Sequence, residues 1–464
     1  MKRDVFPNRK PLVLAQRKFF DNGGTRSLEA RRQMLQMLKQ VILVEEEAIN
    51  EALKKDLGKS SSETFLSEVG LVLTEIDYFK RHLKQLAKPK RVTNSLLNWP
   101  SKDFITPEPY GVMLHISPWN YPFQLVFTPL VGAVAAGNTV VVKPSELAPH
   151  TADCIEKIVK LAFPPEWVTV VQGGPEIGKS LLEERWDYIV YTGGVRVAKI
   201  VAQAAAKHLT PTMLELGGKN PCVVDHTAQI QVAARRIIFG KFLNCGQTCI
   251  APDYILVHES VNESLIAAMI GAIRESYGAD ESKSDDYGHI INSHHFDRLK
   301  NLIADQRIQY GGKTIAKNRY IQPTLVEVSD TNNALMEEEI FGPILPILTY
   351  QTDEDLRTII QQYEKPLSFY VFSKRKRWAK NLMNSYSYGG GIINDTLLQF
   401  TNRNLPFGGI GKSGMGAYHG KHSFHAFSHD KPFIHRSSWP DPSMRYAPYK
   451  KKMKFLKPLL KWLG

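Results

Sequence analysis

Two thiols share one short loop. The segment Phe242-Leu243-Asn244-Cys245-Gly246-Gln247-Thr248-Cys249-Ile250-Ala251-Pro252 sets Cys245 and Cys249 between glycine and proline turn formers. Three chemistries suit such a pair: a metal site, a redox couple and a nucleophile. Against all three stands a pair of buried structural thiols, the commonest use of free cysteine. A metal would need two further ligands, and no Cys/His pair with the usual spacing lies nearby. A redox couple usually has two intervening residues, whereas three separate these. A nucleophile needs a base, and Leu214-Glu215-Leu216-Gly217-Gly218-Lys219 offers a candidate. Partial burial among apolar neighbours raises a carboxyl pKa towards that of a base working near neutrality. A carboxylate that only caps a turn has the same local sequence. At Tyr191-Thr192-Gly193-Gly194 a strand gives way to a helix, which offers free N–H groups to a phosphate or is a plain turn. The letters Gly409-Ile410-Gly411-Lys412-Ser413-Gly414 match a dinucleotide fingerprint but lack a preceding strand and a βαβ frame. A phosphate-binding loop would also need a glycine where Pro406 stands, so this segment reads as a turn cluster.

The elements that must hold these residues follow from periodicity. Residues 27–86 read as helical, with Leu35, Leu38, Ile42 and Ile49 at helix-like spacing. Residues 88–110, rich in proline, read as extended or turning. From 111 onward the pattern alternates. Strands are predicted at 111–116, 138–143, 167–171 and 187–191, separated by helix-length segments. Strand-like segments at 211–216 and 220–225 flank Gly217-Gly218, and a second series includes strands at 254–258, 345–350 and 368–373. Such alternation implies parallel sheets with right-handed crossovers, an α/β fold. The two series suit a cofactor unit followed by a catalytic unit.

The chain has 464 residues, 43% hydrophobic and 23% charged, which is the composition of a multi-domain globular protein. Lys and Arg outnumber Asp and Glu by 59 to 46, but the excess is scattered and no nucleic-acid motif accompanies it. Four cysteines in so long a chain are no disulfide framework, and the N-terminus lacks a secretory pattern, so the expectation is a cytoplasmic protein. The tail from Tyr449 to Leu463 mixes lysines with Leu456, Leu459, Leu460 and Leu463 on one helical face. That pattern suits weak contact with an anionic membrane surface, or packing on its own subunit or a dimer partner, although Pro458 interrupts it.

Taken in chain order, the segments resemble the aldehyde dehydrogenase superfamily. The resemblance rests on Ser117-Pro118-Trp119-Asn120-Tyr121-Pro122, Lys143-Pro144-Ser145-Glu146, Thr192-Gly193, Glu215-Leu216-Gly217-Gly218-Lys219, Gly246-Gln247-Thr248-Cys249, Glu338-Glu339-Ile340-Phe341-Gly342-Pro343 and Leu405-Pro406-Phe407-Gly408-Gly409. It spans residues 25–430. Within it, Asn394-Asp395 and the stretch Ser413 to Gly420 are most similar to class 3, which includes medium- and long-chain fatty aldehyde dehydrogenases. The resemblance implies NAD(P)-dependent oxidation of a small-molecule aldehyde to a carboxylic acid, without a metal. It implies a Rossmann-like cofactor domain from residues 1–85 and 105–214 and an α/β catalytic domain from 215–405. An oligomerisation element and tail, from 86–104 and 406–464, would build a homodimer.

Roles carried over residue by residue are these. Cys249 matches the nucleophile, Glu215 the general base and Asn120 the oxyanion-hole amide, while Cys245 matches no catalytic position. Lys143 and Glu146 match the ligands of the adenosine ribose, and Thr192, Gly193 and Gly194 the pyrophosphate turn. Glu339 matches the nicotinamide-ribose ligand, and Phe341 the ring beside the nicotinamide. Two departures stand in the pyrophosphate turn: Ala198 replaces a usual second glycine, and Gly194 a small polar residue. The charge of Glu146 near a ribose 2′-hydroxyl leans towards NAD, though class 3 members often accept both cofactors. The competing functions are an acylating or phosphorylated-aldehyde relative and a catalytically silent nucleotide-binding protein of the same fold.

Overall fold

The computed structural model describes residues 10–94, 100–441, 443–450, 452–454, 457–458 and 461. The apolar strands predicted after residue 111 assemble into one sheet. Among the described residues its order is Gly414–Met415, Thr212–Glu215, Tyr188–Thr192, Val112–Ile116, Thr139–Lys143, Val168–Val170. All neighbours run parallel except Gly414–Met415, which pairs antiparallel with Thr212–Glu215. Alternate side chains feed two different cores, as a strand buried on both faces requires. Met113, Val140, Val142, Val190 and Met213 join the helices of residues 28–86, 124–136 and 149–162. Val112, Leu114, Val141, Ile189 and Leu214 join those of residues 175–182 and 195–206. The helix Gln124–Ala136 is buried at every position, matching a sequence that is apolar almost all round.

The stretch read as helical over 27–86 contains the helices Leu28–Val44, Glu46–Leu57, Ser61–Thr64 and Gly70–Leu86, with a wide π turn at Phe65–Val69. Ser27 caps the first of them by accepting from the Ala30 N–H at 3.2 Å. Leu35, Leu38, Ile42 and Ile49 are fully buried.

A second sheet follows, with the order Arg307–Tyr310, Thr324–Glu327, Ile344–Tyr350, Tyr254–His258, Pro221–Val224, Ser368–Phe372, Gly390–Ile393 among the described residues. It is parallel except at Arg307–Tyr310. The chain passes from the first sheet to the second through the turn after Glu215. A third, antiparallel sheet joins Lys90–Val92, Ser101–Pro109 and Ser428–Arg436, the last two paired over nine residues. No helix among the described residues is long and apolar enough to cross a membrane. The apolar face expected in the tail, Leu456, Leu459, Leu460 and Leu463, lies outside the described residues.

Candidate active site

Strand registers bring the separated motifs to one edge. Ile116 pairs with Lys143 and lies opposite Tyr191, and Thr192 pairs with Glu215. The 117–122 segment, Lys143, Thr192 and Glu215 therefore stand together at the carboxyl ends of parallel strands, where α/β sheets bind ligands. From the other side, the Cys249 loop precedes Tyr254–His258 and the Glu339 segment precedes Ile344–Tyr350, so both arrive at the amino edge of the second sheet. The two edges face each other across a cavity of about 450 Å³ whose walls include Cys249, Glu215 and Thr192. Leu66, Leu125, Phe239, Leu243, Leu398 and Phe400 supply much of the remaining surface, which is largely apolar.

Glu215 is buried, and neither carboxylate oxygen has a hydrogen-bond partner among the described residues. Burial alone holds its pKa well above the ordinary carboxylate value. Cys249 is half-buried at the cavity wall. Burial, then the nearby carboxylates of Glu339 and Glu215, push its thiol pKa up, whereas the backbone N–H groups of Cys249 and Ile250 pull it down. The uncharged thiol is thus the resting form, and a reaction there needs a base or a cation to take the proton's place. Cys245, by contrast, is buried in the core around the second sheet beside Tyr287 and lines no part of the cavity among its described walls. That is the structural thiol of the pair.

Asn120 is buried behind the lining, and its Nδ2 donates to the Gln247 carbonyl at 3.0 Å. A primary amide has two N–H bonds, so the second remains for another acceptor. The carbonyl of Cys249 accepts from Asn220 Nδ2 at 2.8 Å, and Asn220 also takes the Ser368 N–H at 2.8 Å. Gln247 ties the same loop to the His289 carbonyl at 3.1 Å and accepts the Ile291 N–H at 3.0 Å. Tyr121 and Thr248 bond through their hydroxyls at 2.7 Å. These anchors were missed from sequence, because nothing local distinguishes an Asn or Gln strap from any loop amide.

The cofactor candidates divide into two clusters. Lys143 Nζ sits 2.8 Å from Glu146, a pair at the end of Thr139–Lys143. Gly193 and Gly194 form the turn into the helix Val195–Ala206, and a Cβ added at Gly194 would meet nothing within 4 Å. The helix N-terminus is therefore open to an anion, which fits a dinucleotide pyrophosphate. Ala198 lies one turn further on and is buried in the core, so its methyl points away from that opening. Glu339 packs against the turn that follows Glu215. The Gly218 N–H bonds to its carboxylate, a Cβ on Gly217 would collide with it, and burial followed by Asp253 pushes its pKa up to about 8. Gly217 is explained by that contact, and Gly218 by the close approach of the Pro366 backbone. Phe341 has φ 50° and packs edge-on against Trp119, centroids 5.3 Å apart. Among the described residues no cluster suits a metal ion.

The chain belongs to the aldehyde dehydrogenase family, whose profile matches residues 12–432. It is 46% identical to a 4,4'-diaponeurosporen-aldehyde dehydrogenase of Staphylococcus aureus, over 96% of this chain and 97% of that protein. It is 44% identical to aldehyde dehydrogenase family 3 member A2 of Rattus norvegicus over 90% and 86%, which makes it class 3-like. A dimeric NADP-preferring aldehyde dehydrogenase of Canis lupus familiaris is 43% identical over 95% and 98%. The solved structure of Staphylococcus aureus AldH in a substrate-bound state superposes with a TM-score of 0.96 at 45% identity, covering 98% of this chain and all of that one. The protein is an oxidoreductase acting on an aldehyde with NAD or NADP.

Proposed function

We propose that the protein oxidises apolar, medium- to long-chain aldehydes to carboxylic acids by thioester hydrolysis. The observation that carries this reading is the unpartnered Glu215 carboxylate in the same, largely apolar cavity wall as Cys249. Cys249 passes its proton to the Glu215 carboxylate, which releases it to solvent before deacylation, and the sulfur attacks the aldehyde carbon, giving a thiohemiacetal whose oxygen carries the negative charge. The free N–H of the Asn120 amide and the Cys249 backbone N–H stabilise that oxygen, each worth about 2.7 to 4 kcal/mol in such a site. Lys143, Glu146, Thr192, Gly193, Gly194, Glu339 and Phe341 would hold the dinucleotide, which supplies the hydride acceptor when bound. Loss of hydride leaves a thioester on Cys249. Glu215 then takes a proton from water, the hydroxide attacks the thioester carbon, and the acid leaves with the thiol restored. A buried base facing the thiol favours hydrolysis over transfer of the acyl group to another thiol.

Both dinucleotides are proposed as oxidants. The Glu146 carboxylate disfavours a ribose 2′-phosphate, and its pairing with Lys143 offsets part of that charge, so the lean towards NAD is small. A homodimer is proposed through the three-stranded sheet, whose strand Ser428–Arg436 leaves Phe433 and Ile434 exposed. The test is a series of aliphatic aldehydes assayed with each cofactor. kcat/KM should rise with chain length by about fourfold per buried methylene, until the cavity is filled. A flat or falling series would remove the substrate class.

A further inference from the structure

Eight residues of the segment 59–68, helical from Ser61, separate two charges that meet in the interior, and the segment touches both loops of the proposed reaction. Lys59 and Glu68 have fully buried side chains and form an ion pair at 2.5 Å. Taking two charges out of water is costly unless every remaining valence is satisfied. Here the remaining valences are all spent on the 120–124 segment. Glu68 Oε2 accepts the N–H groups of Phe123 and Gln124, at 2.9 and 3.0 Å, at the start of the helix Gln124–Ala136. Lys59 Nζ reaches the Asn120 carbonyl at 3.4 Å and lies 4.1 Å from the centre of the Tyr121 ring. Glu63, on the same segment, accepts the N–H of Asn244 at 3.0 Å, where the backbone takes φ 54°. Asn244 in turn donates to the Asn120 carbonyl at 2.7 Å and to the Gln247 carbonyl at 3.1 Å. The π turn at Phe65–Val69 adds a residue to the helix just where Glu68 must turn inward.

We infer that Lys59 and Glu68, with Glu63, are positioning residues that set the Asn120 amide against the Cys249 loop. Lys59 and Glu68 are placed one layer behind the cavity and Glu63 in its wall, and they act through the peptide groups of residues 120–124 and 244. This inference rests on the proposed roles of Cys249 and Asn120. A misplacement of about 1 Å at such a site costs on the order of a hundredfold in rate, so the brace should govern kcat rather than binding.

The experiment compares Lys59→Met, Glu68→Gln, the double variant and Tyr121→Phe, each as the full chain. It reads melting temperature, NAD affinity, aldehyde oxidation and cofactor-free hydrolysis of p-nitrophenyl acetate. Ester hydrolysis needs the thiol and the oxyanion donors but no hydride acceptor. Each single charge variant should melt lower than the parent, because it leaves one buried charge unpaired. The double variant should recover most of the melting temperature while kcat for both reactions stays at least tenfold down, with the NAD Kd within twofold of the parent. Tyr121→Phe, which removes only the hydroxyl on Thr248, should keep its melting temperature and lose threefold or more in both rates. Parental kcat in the double variant overturns the inference, as does a kcat that recovers in step with melting temperature. Should the double variant not fold, parental kcat in Tyr121→Phe and Glu68→Gln overturns it instead. Cys249→Ala run alongside separates the two claims: activity retained there removes the nucleophile assignment, whatever the brace does.

Discussion

The loop that carries the proposed nucleophile and the turn proposed to receive the cofactor phosphates are built in opposite ways. From Asn244 to Cys249 the polar groups are tied to residues far away in the chain: Glu63, Asn120, Asn220, His289 and Ile291. Two successive non-glycine residues, Asn244 and Cys245, sit in the left-handed region at φ 54° and 52°, a conformation that persists only when its surroundings impose it. Among the described residues the turn Thr192 to Val195 is tied at long range to Glu215, through the strand pairing of Thr192 and the Gly193 N–H to the Glu215 carbonyl at 3.0 Å, and above Gly194 there is open space. Chemistry at a carbonyl carbon demands fixed geometry. A cofactor that must arrive and leave in each turnover demands room.

The largest effect should come from the rigid half. Cys249→Ala removes the atom that bonds to substrate, and turnover should fall by at least about a thousandfold, while the dinucleotide Kd, measured by calorimetry, stays within a factor of two. Retained turnover would refute the nucleophile. Asn120→Ala should cost about a hundred- to a thousandfold in kcat. The Gln247 carbonyl keeps its bond from Asn244 at 3.1 Å, so the loop itself should survive.

Glu215 sharpens the contrast, because it is a rigidly placed residue whose working atoms are bonded to nothing in the described structure. Its pKa is raised by burial, so the base form appears only as pH climbs through that raised value. Deacylation in the parent enzyme should therefore rise with pH. Glu215→Gln should abolish that rise, slow deacylation by about a hundredfold or more and let a thioester accumulate in a rapid-quench experiment. Stability should move the other way. A carboxyl held protonated in the folded state stabilises it fully below the ordinary carboxylate range, and the contribution is lost as pH climbs from there to the raised folded value. The amide never ionises. Glu215→Gln should accordingly melt above the parent at alkaline pH, with the gap closing near pH 4. A gap of the same size at both ends would mean that burial does not raise the Glu215 pKa on folding.

The sequence made the rigid half legible at its chemical residues and obscure at its supports. Cys249, Glu215 and Asn120 stand near strand ends beside turn formers, and the order of the motifs along the chain joins them into one candidate site. Lys59 and Glu68 have no such mark, because a lysine and a glutamate in a stretch that reads as an amphipathic helix look like solvated surface until packing against the 120–124 segment buries both. The first sheet could be read because its strands are apolar on both faces. In the second, Gly390–Ile393 begins with two glycines and Arg307–Tyr310 is an edge strand with exposed Arg307 and Ile308, so neither carries a strand-like pattern. Ser428–Arg436 is exposed along most of its length and contains Pro432, which removes both hydropathy alternation and a ladder donor. Ala198 looked like a departure at the phosphate turn, but one helical turn of rotation carries its methyl into the core.

The smallest expected effect tests the open half, by adding one methyl at each of two adjacent glycines. At Gly193 a Cβ would run into the side chain of Tyr191, which is buried and holds the Gly194 carbonyl through its hydroxyl at 3.2 Å. The ring has nowhere to go, so Gly193→Ala should destabilise the fold by about 1 to 3 kcal/mol, seen as a melting temperature several degrees lower. At Gly194 the backbone is extended, with φ −79° and ψ 151°, and the methyl would meet nothing. Gly194→Ala should leave stability within about 0.5 kcal/mol of the parent. Its cost should fall on the ligand: phosphate oxygens approaching the helix N-terminus would meet the new methyl, raising the dinucleotide Kd threefold to tenfold at unchanged kcat. An unchanged Kd would mean that the pyrophosphate approaches along another line, and the opening above Gly194 would then have no part in holding the cofactor.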